Sequence, residues 1–252
     1  MQAPPPLTAV PDLPGQLQGA GWAVLSAASL QQVCGVEFRR ADWAPFWNDL
    51  PPDPHLRDGG RYRRRRHGCF VIVCGQEQQV QQVPHRAHWQ PVEYNALHGG
   101  FERWFDPLPP TLVNQPAWHA LLLGLASTAD HLGPQARWFA EAHMFRIHTD
   151  GEGGIGRPTP EGAHRDGVDL VAVMLQGRSN VKGGETRVFD ARGPQGMRFT
   201  LAEPGSVLLL DDARVIHETT PIQPLVPAQL ATRDTLVVTL RRGGFQGPNA
   251  AA

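Results

Sequence analysis

Two histidines and one aspartate have the types and spacing of a metal site. His164 and Asp166 are two residues apart, and side chains at i and i+2 of a strand project from the same face. His217 follows Asp166 by 51 residues (217 − 166), enough for several strands to lead away and return. Two neutral imidazoles and one carboxylate leave three positions open on octahedral Fe(II), as oxygen chemistry requires. We therefore predict a catalytic iron site formed by His164, Asp166 and His217.

The spacing alone is weak support, because the chain also contains His148-Thr149-Asp150. That pair runs directly into a glycine-rich loop, whereas metal ligands need rigid support. Asp166 instead leads into the apolar run 168–175, which the pattern predicts to be a buried strand. Each histidine considered alone is also compatible with a structural role, held by hydrogen bonds and without a metal. A closed zinc site would need a fourth ligand, which the sequence does not identify.

The open positions suggest a chelating 2-oxoacid cosubstrate, and its far carboxylate would need a cation. Arg233 is the candidate, because a guanidinium can hold a carboxylate with two parallel hydrogen bonds. Thr235 lies two residues on and would share the same strand face, where its hydroxyl can add a donor. Arg241 and Arg242 are weaker rivals for this role. The sequence thus predicts a 2-oxoglutarate site at Arg233 and Thr235.

The elements that must position these residues are mostly short strands. Apolar positions from Trp118 to His131 have the period of an amphipathic helix, whose leucines we expect to pack on a sheet. Beyond Gly133, short β-like segments separated by turns continue to the end, which indicates a sandwich or jelly-roll barrel. The predicted strands are 138–148, 169–175, 185–190, 197–201, 206–210, 214–219 and 235–241.

The N-terminal part has a different character. Residues 1–15 are rich in proline and are predicted to form an extended arm, followed by a single domain over 16–245. Residues 22–25 read as a strand, and Ser26 precedes a helix-compatible run as an N-cap would. The domain should therefore carry an N-terminal α/β extension.

An arginine-rich segment occupies 61–66 and runs into the apolar segment 68–74. We interpret the two as strands of a hairpin or meander, with the arginines on a solvated face; a nucleic-acid surface is the alternative. Polar residues and glycine pairs around 90–105 suggest a loop that approaches a ligand, although a plain turn is equally compatible.

The amino-acid composition disfavours several classes of partner. The 23 basic and 24 acidic residues give a net charge of −1, which does not favour nucleic acid, membranes or polyanions as partners. The 3 cysteines are odd in number and lack zinc-type spacing, and the apolar runs are far shorter than a membrane span. We expect a soluble cytoplasmic protein with a small-molecule substrate, and neither nucleic acid nor membrane as a partner.

Four motifs carry a resemblance to a known family. The chain resembles the bacterial 2-oxoglutarate/Fe(II) dioxygenases that include free L-isoleucine hydroxylases and the biofilm stress and motility proteins. The similarity extends over most of the chain from about residue 20, but its specific motifs lie in the barrel. They are PEGAHRDG at 160–167, NVKGGET at 180–186, DD at 211–212 with HETTPI at 217–222, and RDTLVV at 233–238.

The resemblance implies a mixed, mainly β fold: a double-stranded β-helix, jelly-roll and cupin-like, with flanking helices. It implies iron on His164, Asp166 and His217, 2-oxoglutarate on Arg233, and O2 as the oxidant. It favours hydroxylation of an aliphatic C–H of a free L-amino acid. Two alternatives stay open: a non-catalytic stress- or biofilm-related binding protein, and an oxygenase acting on a protein or nucleobase. Candidate contacts to the charged ends of the amino acid are Arg63, Gln90, Asn95 and Arg103.

Overall fold

Strands dominate the computed structural model, which describes residues 3–149 and 154–248. The helices are α1 (Leu13–Ala20), α2 (Ala27–Cys34), α3 (Arg40–Trp43), α4 (Pro110–Val113) and α5 (Pro116–Asp130), with 3-10 turns at Val10–Asp12 and Ala44–Trp47. The strands are β1 (Trp22–Leu25), β2 (Arg63–Val73), β3 (Gln79–Gln82), β4 (Arg137–His148), β5 (Leu170–Ser179), β6 (Val181–Gly183), β7 (Thr186–Asp190), β8 (Gly196–Phe199), β9 (Val207–Asp211), β10 (Val215–Thr219), β11 (Ile222–Pro224) and β12 (Thr232–Arg241).

A seven-stranded antiparallel sheet is the larger layer, in the order β1-β9-β5-β12-β4-β2-β3. Side chains alternate across it, so Leu236, Val238 and Leu240 of β12 are buried in the outer core while Arg233 and Thr235 face inward. Helix α5 packs on the outer face, and its Trp118 ring lies 5.6 Å from that of Phe70 on β2. The predicted helix over 118–131 and its packing on a sheet are confirmed.

The smaller layer comprises the three-stranded sheet β10-β7-β8 and the two-stranded pair β11-β6. Together with the large sheet it forms the mainly β jelly roll, the double-stranded β-helix with flanking helices that the sequence predicted. Each of the seven predicted C-terminal strands has a counterpart in the structure. The sequence missed β6 and β11, because three-residue strands carry too few side chains to show an alternation.

The N-terminal prediction needs one correction. The extended arm ends at Ala9, because Val10–Asp12 form a 3-10 turn and Leu13–Ala20 form α1. Leu13 and Leu17 are buried in the core, so helix packing overrides the local proline content. The predicted strand and capped helix are confirmed: Ser26 Oγ accepts a 3.1 Å hydrogen bond from the Ser29 N–H at the start of α2.

The arginine-rich segment also differs from its prediction. It does not form a strand of its own but begins β2, which continues to Val73 and pairs with both β3 and β4. Arg63 and Arg65 are buried, with 5% and 3% of their surface exposed, so the interpretation as a solvated face is wrong for them. Their strand lies inside the sheet, and charge composition cannot reveal which face of a strand is covered. Among the described residues, no helix combines the length and apolarity needed to cross a membrane.

Candidate metal centre and cavity

The predicted metal-binding pair does not lie on a regular strand. His164 makes an isolated antiparallel bridge with His217 of β10, through hydrogen bonds of 3.0 Å and 2.9 Å between their backbone N–H and C=O groups. Residues 165–169 then form an irregular loop, and β5 begins only at Leu170. The expectation that strand alternation aligns His164 with Asp166 is therefore wrong. The bridge aligns the two histidines instead, and their ring centroids are 4.6 Å apart.

Asp212 holds this loop in place. Its carboxylate accepts hydrogen bonds from the backbone N–H groups of Asp166, Gly167 and Val168, at 3.0, 2.7 and 3.1 Å. Gly167 has φ +75, and a Cβ there would lie 2.4 Å from the Tyr94 ring. Burial raises the pKa of Asp212 to about 6, with a further contribution from Asp166. The sequence placed Asp211 and Asp212 in a turn but did not reveal this contact.

Three donor groups converge as a metal would require. Oδ1 of Asp166 lies 3.8 Å from His164 Nε2, and Oδ2 lies 3.9 Å from His217 Nε2. One donor atom from each residue falls within 4.8 Å of the others. The Gly162 carbonyl lies 2.9 Å from His164 Nδ1 and accepts its proton, which leaves the Nε2 lone pair for a metal. The donor set and this tautomer fit Fe(II). The rival His148-Thr149-Asp150 includes Asp150, which lies outside the described residues.

The electrostatic environments of the two imidazoles differ. Burial lowers the pKa of both, but at His164 the nearby carboxylates of Asp166 and Glu161 outweigh it, so this pKa is raised. At His217, burial and the neighbouring His164 both act downward, and its pKa lies well below the ordinary value. Burial raises the pKa of Asp166. A divalent cation would favour the deprotonated form of all three ligands.

Gln90 links the candidate metal centre to the predicted substrate contacts. Its Nε2 donates to Oδ1 of Asp166 at 3.0 Å, while its Oε1 accepts from Arg103 NH2 at 2.7 Å and from Asn95 Nδ2 at 3.1 Å. Gln90, Asn95 and Arg103 are all buried and line the same cavity as the metal-binding group. The structure thus brings these predicted residues together, but in a network with one another and with Asp166.

Arg233 is available for an anionic ligand. It is 3% exposed, and neither its Nε nor its NH2 has a hydrogen-bond partner among the described residues. Burial lowers its pKa to about 10, with a further contribution from Arg178. Thr235 lies on the same inward face and lines the cavity beside it. These orphaned donors fit the far carboxylate of 2-oxoglutarate.

The two rival arginines are less suitable. Arg241 lines the cavity, but its NH1 donates to the Gly244 carbonyl at 2.9 Å. Arg242 is partly exposed and pairs with Asp169 at 2.6 Å.

The cavity has a volume of about 130 Å³, which corresponds to roughly four water molecules at the density of the liquid. Its lining includes the metal-binding group, Arg233, and Arg63, which is bound to Asp53 at 2.7 Å. Arg63 NH2 and Arg103 Nε are buried and have no hydrogen-bond partner in the described part of the chain. The apolar lining residues are Phe139, Phe145, Ile147, Pro158, Val168, Val173, Val237 and Phe245.

A second group of possible metal ligands, unforeseen from the sequence, consists of His67, His88, Glu141 and His143. Glu141 Oε2 lies 2.9 Å from His67 Nε2 and 2.7 Å from His88 Nδ1, so it accepts a hydrogen bond from each. Arg65 NH2 lies 2.7 Å from His143 Nδ1. A guanidinium only donates, so neutral His143 carries its proton on Nε2 and lacks a lone pair there. Metal-bound histidines donate their second N–H instead. We interpret this group as a hydrogen-bonded network.

The sequence profile of the family described as 2OG-Fe dioxygenase matches residues 44–239. That range contains the three candidate iron ligands and both candidate 2-oxoglutarate contacts. No curated protein sequence matches the chain.

Solved structures share the fold. A bsmA homologue from Methylobium petroleophilum PM1 is 54% identical over 96% of each chain, with a TM-score of 0.89. IDO from Bacillus thuringiensis is 16% identical over 94% of this chain and 97% of its own, with a TM-score of 0.72. The Fe(II)/α-ketoglutarate-dependent dioxygenase TqaL is 22% identical over 96% of this chain and 90% of its own, with a TM-score of 0.70. The last two likenesses concern the fold alone.

Proposed function

Because the chain belongs to the 2OG-Fe dioxygenase family, we propose that it hydroxylates an aliphatic C–H bond of a free L-amino acid. Enzymes of this family use Fe(II), 2-oxoglutarate and O2. In the proposed site, His164, Asp166 and His217 hold the iron, while Arg233 and Thr235 hold the far carboxylate of 2-oxoglutarate. When bound, the iron couples decarboxylation of 2-oxoglutarate to succinate and CO2 with insertion of one oxygen atom into the substrate.

The observation that carries the substrate proposal is a pair of arginines that each keep one unpaired guanidinium nitrogen at the cavity. Arg63 NH2 and Arg103 Nε are buried without a hydrogen-bond partner among the described residues, and both side chains line the cavity. A buried donor without an acceptor is costly, and a ligand carboxylate would relieve this cost with charge-assisted bonds. These two arginines were predicted contacts to the charged end of an amino acid.

The remaining lining residues suit an aliphatic side chain. Val173, Val237 and Phe245 present apolar surface to the same cavity, and burial of an aliphatic group against them is favourable. The chemistry proposed for the enzyme needs an unactivated C–H bond held rigidly beside the metal. A small molecule with one charged end and one aliphatic end would match both the arginines and the apolar lining residues.

Each protein group has a distinct task in this proposal. The Gly162 carbonyl fixes the tautomer and ring orientation of His164, at 2.9 Å from its Nδ1. Gln90 orients the Asp166 carboxylate and keeps Arg103 beside it. Arg233 supplies the charge that neutralises the cosubstrate in a buried site from which bulk water is excluded. Gln90 then acts by positioning Arg103, and Asn95 acts by holding the Gln90 amide.

The test is turnover by the purified protein with Fe(II), ascorbate and 2-oxoglutarate, offered a panel of L-amino acids. We expect succinate and a hydroxylated product with at least one small aliphatic amino acid, and a loss of both in His164→Ala. His148→Ala is the matched control, because it removes the histidine of the rival pair and should keep activity. Failure to bind iron or 2-oxoglutarate would overturn the proposed cofactor site. Binding of both without turnover of any amino acid would overturn the substrate and favour a protein or nucleobase target.

Three further proposals concern the chain as a whole. Cys34, Cys69 and Cys74 are free thiols, which supports a reducing compartment and hence the cytoplasm. We also propose that the domain predicted over 16–245 is a single one that extends at its N-terminus to include α1, and that the partner is a small molecule rather than nucleic acid.

A further inference from the structure

The segment before His164 is fixed at both of its ends to β10. Thr159 Oγ1 donates to the Thr219 carbonyl at 3.0 Å and accepts from the Thr219 N–H at 3.1 Å. Five residues later, His164 makes its backbone bridge with His217. Glu161 lies between these two attachment points, so its backbone position is set by the same strand that carries His217.

A turn directs the Glu161 side chain into the cavity. The Gly162 N–H donates to the Thr159 carbonyl at 3.0 Å, and Gly162 has φ +82, a conformation that favours glycine. Pro160 stands at the second position of this turn, where its fixed φ is suitable. Glu161 therefore occupies a rigid position, and its side chain lines the cavity.

The Glu161 carboxylate is incompletely satisfied. Its Oε1 lies 3.6 Å from His164 Nε2, and the side chain is 13% exposed. Its Oε2 is fully buried and has no hydrogen-bond partner in the described part of the chain. Removing a carboxylate oxygen from water without a hydrogen-bond donor is unfavourable. The geometry calls for a cationic donor from a ligand.

The metal does not account for this carboxylate. The donor atoms within 4.8 Å of one another belong to His164, Asp166 and His217, and Glu161 is outside that group. His164, Asp166 and His217 would hold Fe(II) and leave room beside it for a chelating 2-oxoacid and for the oxidant. A fourth protein ligand would reduce that room.

The other charged groups at the cavity lead to the same assignment. Apart from Arg233 and Asp166, which are assigned to the cosubstrate and the metal, the buried cations are Arg63, Arg65 and Arg103. The acidic side chains beside them are Asp53, Glu141 and Glu161. Asp53 is paired with Arg63, and Glu141 accepts hydrogen bonds from two histidines. A ligand carrying only a carboxylate would satisfy the arginines and leave Glu161 without a partner. A zwitterion satisfies both and leaves the net charge of the cavity unchanged.

We propose that Glu161 binds the α-ammonium group of the substrate and thereby selects amino acids over the corresponding carboxylic acids. This inference rests on the proposed function, because it assigns a contact within that site. Glu161 is a specificity-determining residue in this arrangement, with the carboxylate end of the substrate at Arg63 and Arg103. No covalent step is assigned to it.

The experiment measures binding without turnover. The wild type and Glu161→Gln, both loaded with Fe(II) and 2-oxoglutarate under argon, are titrated by calorimetry with L-leucine, L-isoleucine and L-valine. The corresponding deaminated acids, beginning with 4-methylpentanoate, are titrated in parallel. Glu102→Gln, at an exposed position, is the matched control.

We expect Glu161→Gln to weaken amino acid binding by roughly 30-fold or more, as for loss of one partner of a buried charged pair. The preference for the amino acid over its deaminated analogue should fall by a similar factor, while iron content and 2-oxoglutarate affinity stay unchanged. Glu102→Gln should match the wild type. In turnover assays in air, Glu161→Gln should raise the KM for the amino acid and change the KM for 2-oxoglutarate much less.

Two results would overturn the inference while the proposed function stands. One is unchanged amino acid affinity and unchanged preference in Glu161→Gln. The other is a loss of bound iron in this variant, which would make Glu161 a metal ligand. A wild type that binds iron and 2-oxoglutarate but none of the amino acids refutes the proposed substrate, and the inference fails with it. The wild-type titration therefore separates the two failures.

Discussion

Gln90 Nε2 donates a hydrogen bond to Oδ1 of Asp166 at 3.0 Å, although the two residues are 76 positions apart in the chain. The other end of the same amide accepts from Arg103 and Asn95. One side chain thus connects the proposed carboxylate ligand of the iron with a proposed contact to substrate. A substitution at Gln90 should therefore affect both iron binding and substrate binding.

We predict that Gln90→Leu lowers iron affinity by about tenfold, the lower end of the effect seen when an outer partner of a metal ligand is removed. Amino acid affinity should fall as well, because Arg103 loses the acceptor that orients it. Competition with a chelator measures the first effect, and anaerobic calorimetry the second. Gln81→Leu, at an exposed position on β3, is the control and should leave both unchanged. Unaltered iron affinity in Gln90→Leu would show that the contact has no role at the metal.

Arg233→Met should raise the KM for 2-oxoglutarate by roughly 100-fold, because a buried carboxylate would lose its charged partner. Iron binding should change little, since the guanidinium is not a metal ligand. Arg242→Met is the matched control: that side chain is partly exposed and pairs with Asp169. Steady-state kinetics with varied 2-oxoglutarate distinguishes the two variants. Equal effects of both would contradict the assignment of Arg233 to the cosubstrate.

Asp212→Ala should destabilise the protein by about 3 kcal/mol, because three backbone N–H groups lose a buried charged acceptor. The loop that carries Asp166 should loosen at the same time, so iron affinity should fall. Chemical unfolding and chelator competition measure the two effects. Asp211→Ala is the adjacent control, since the Asp211 carboxylate accepts from the Ala213 N–H rather than from the backbone of this loop. A fully stable Asp212→Ala variant would refute the role of the contact.

The histidine network should make the metal-free protein sensitive to acid. Burial lowers the pKa of His67, His88 and His143, and that of His88 falls to about 3. Between pH 7 and pH 5 the unfolded chain therefore takes up protons that the folded network does not, so the free energy of unfolding falls as the pH falls. The charged neighbours Arg65 and Arg103 act in the same direction, whereas Glu141 opposes them.

We expect the His88 imidazole to contribute about 2 kcal/mol to this loss, because its pKa of about 3 keeps it neutral throughout this range. His88→Gln removes this imidazole but keeps a side chain that can donate to Glu141. The variant should therefore lose about 2 kcal/mol less than the wild type between pH 7 and pH 5 in urea unfolding at each pH. Parallel curves for the two proteins would contradict a neutral His88 in the folded state. His119→Gln, on the surface of α5, should behave as the wild type does.

The sequence determined those features that depend on local pattern. The alternation in 232–241 placed Arg233 and Thr235 on one face and the leucines on the other, and the apolar period of 118–131 defined α5. The residue types and spacing of His164, Asp166 and His217 indicated a shared metal site, and the fold does bring these three side chains together. A side chain's chemistry and the face that it occupies are local properties, and so they can be read without the fold.

Tertiary structure decided what surrounds these residues. The hydrogen bond of Gln90 to Asp166, the Asp212 contact with the following loop and the buried Oε2 of Glu161 join segments that are distant in the chain or irregular in shape. Irregular loops have no periodicity, and charge composition does not distinguish a buried arginine such as Arg65 from a solvated one. The sequence therefore indicated which groups are suited to the chemistry. Only the packing of loops against strands decided which of them remain unpaired and so available to a ligand.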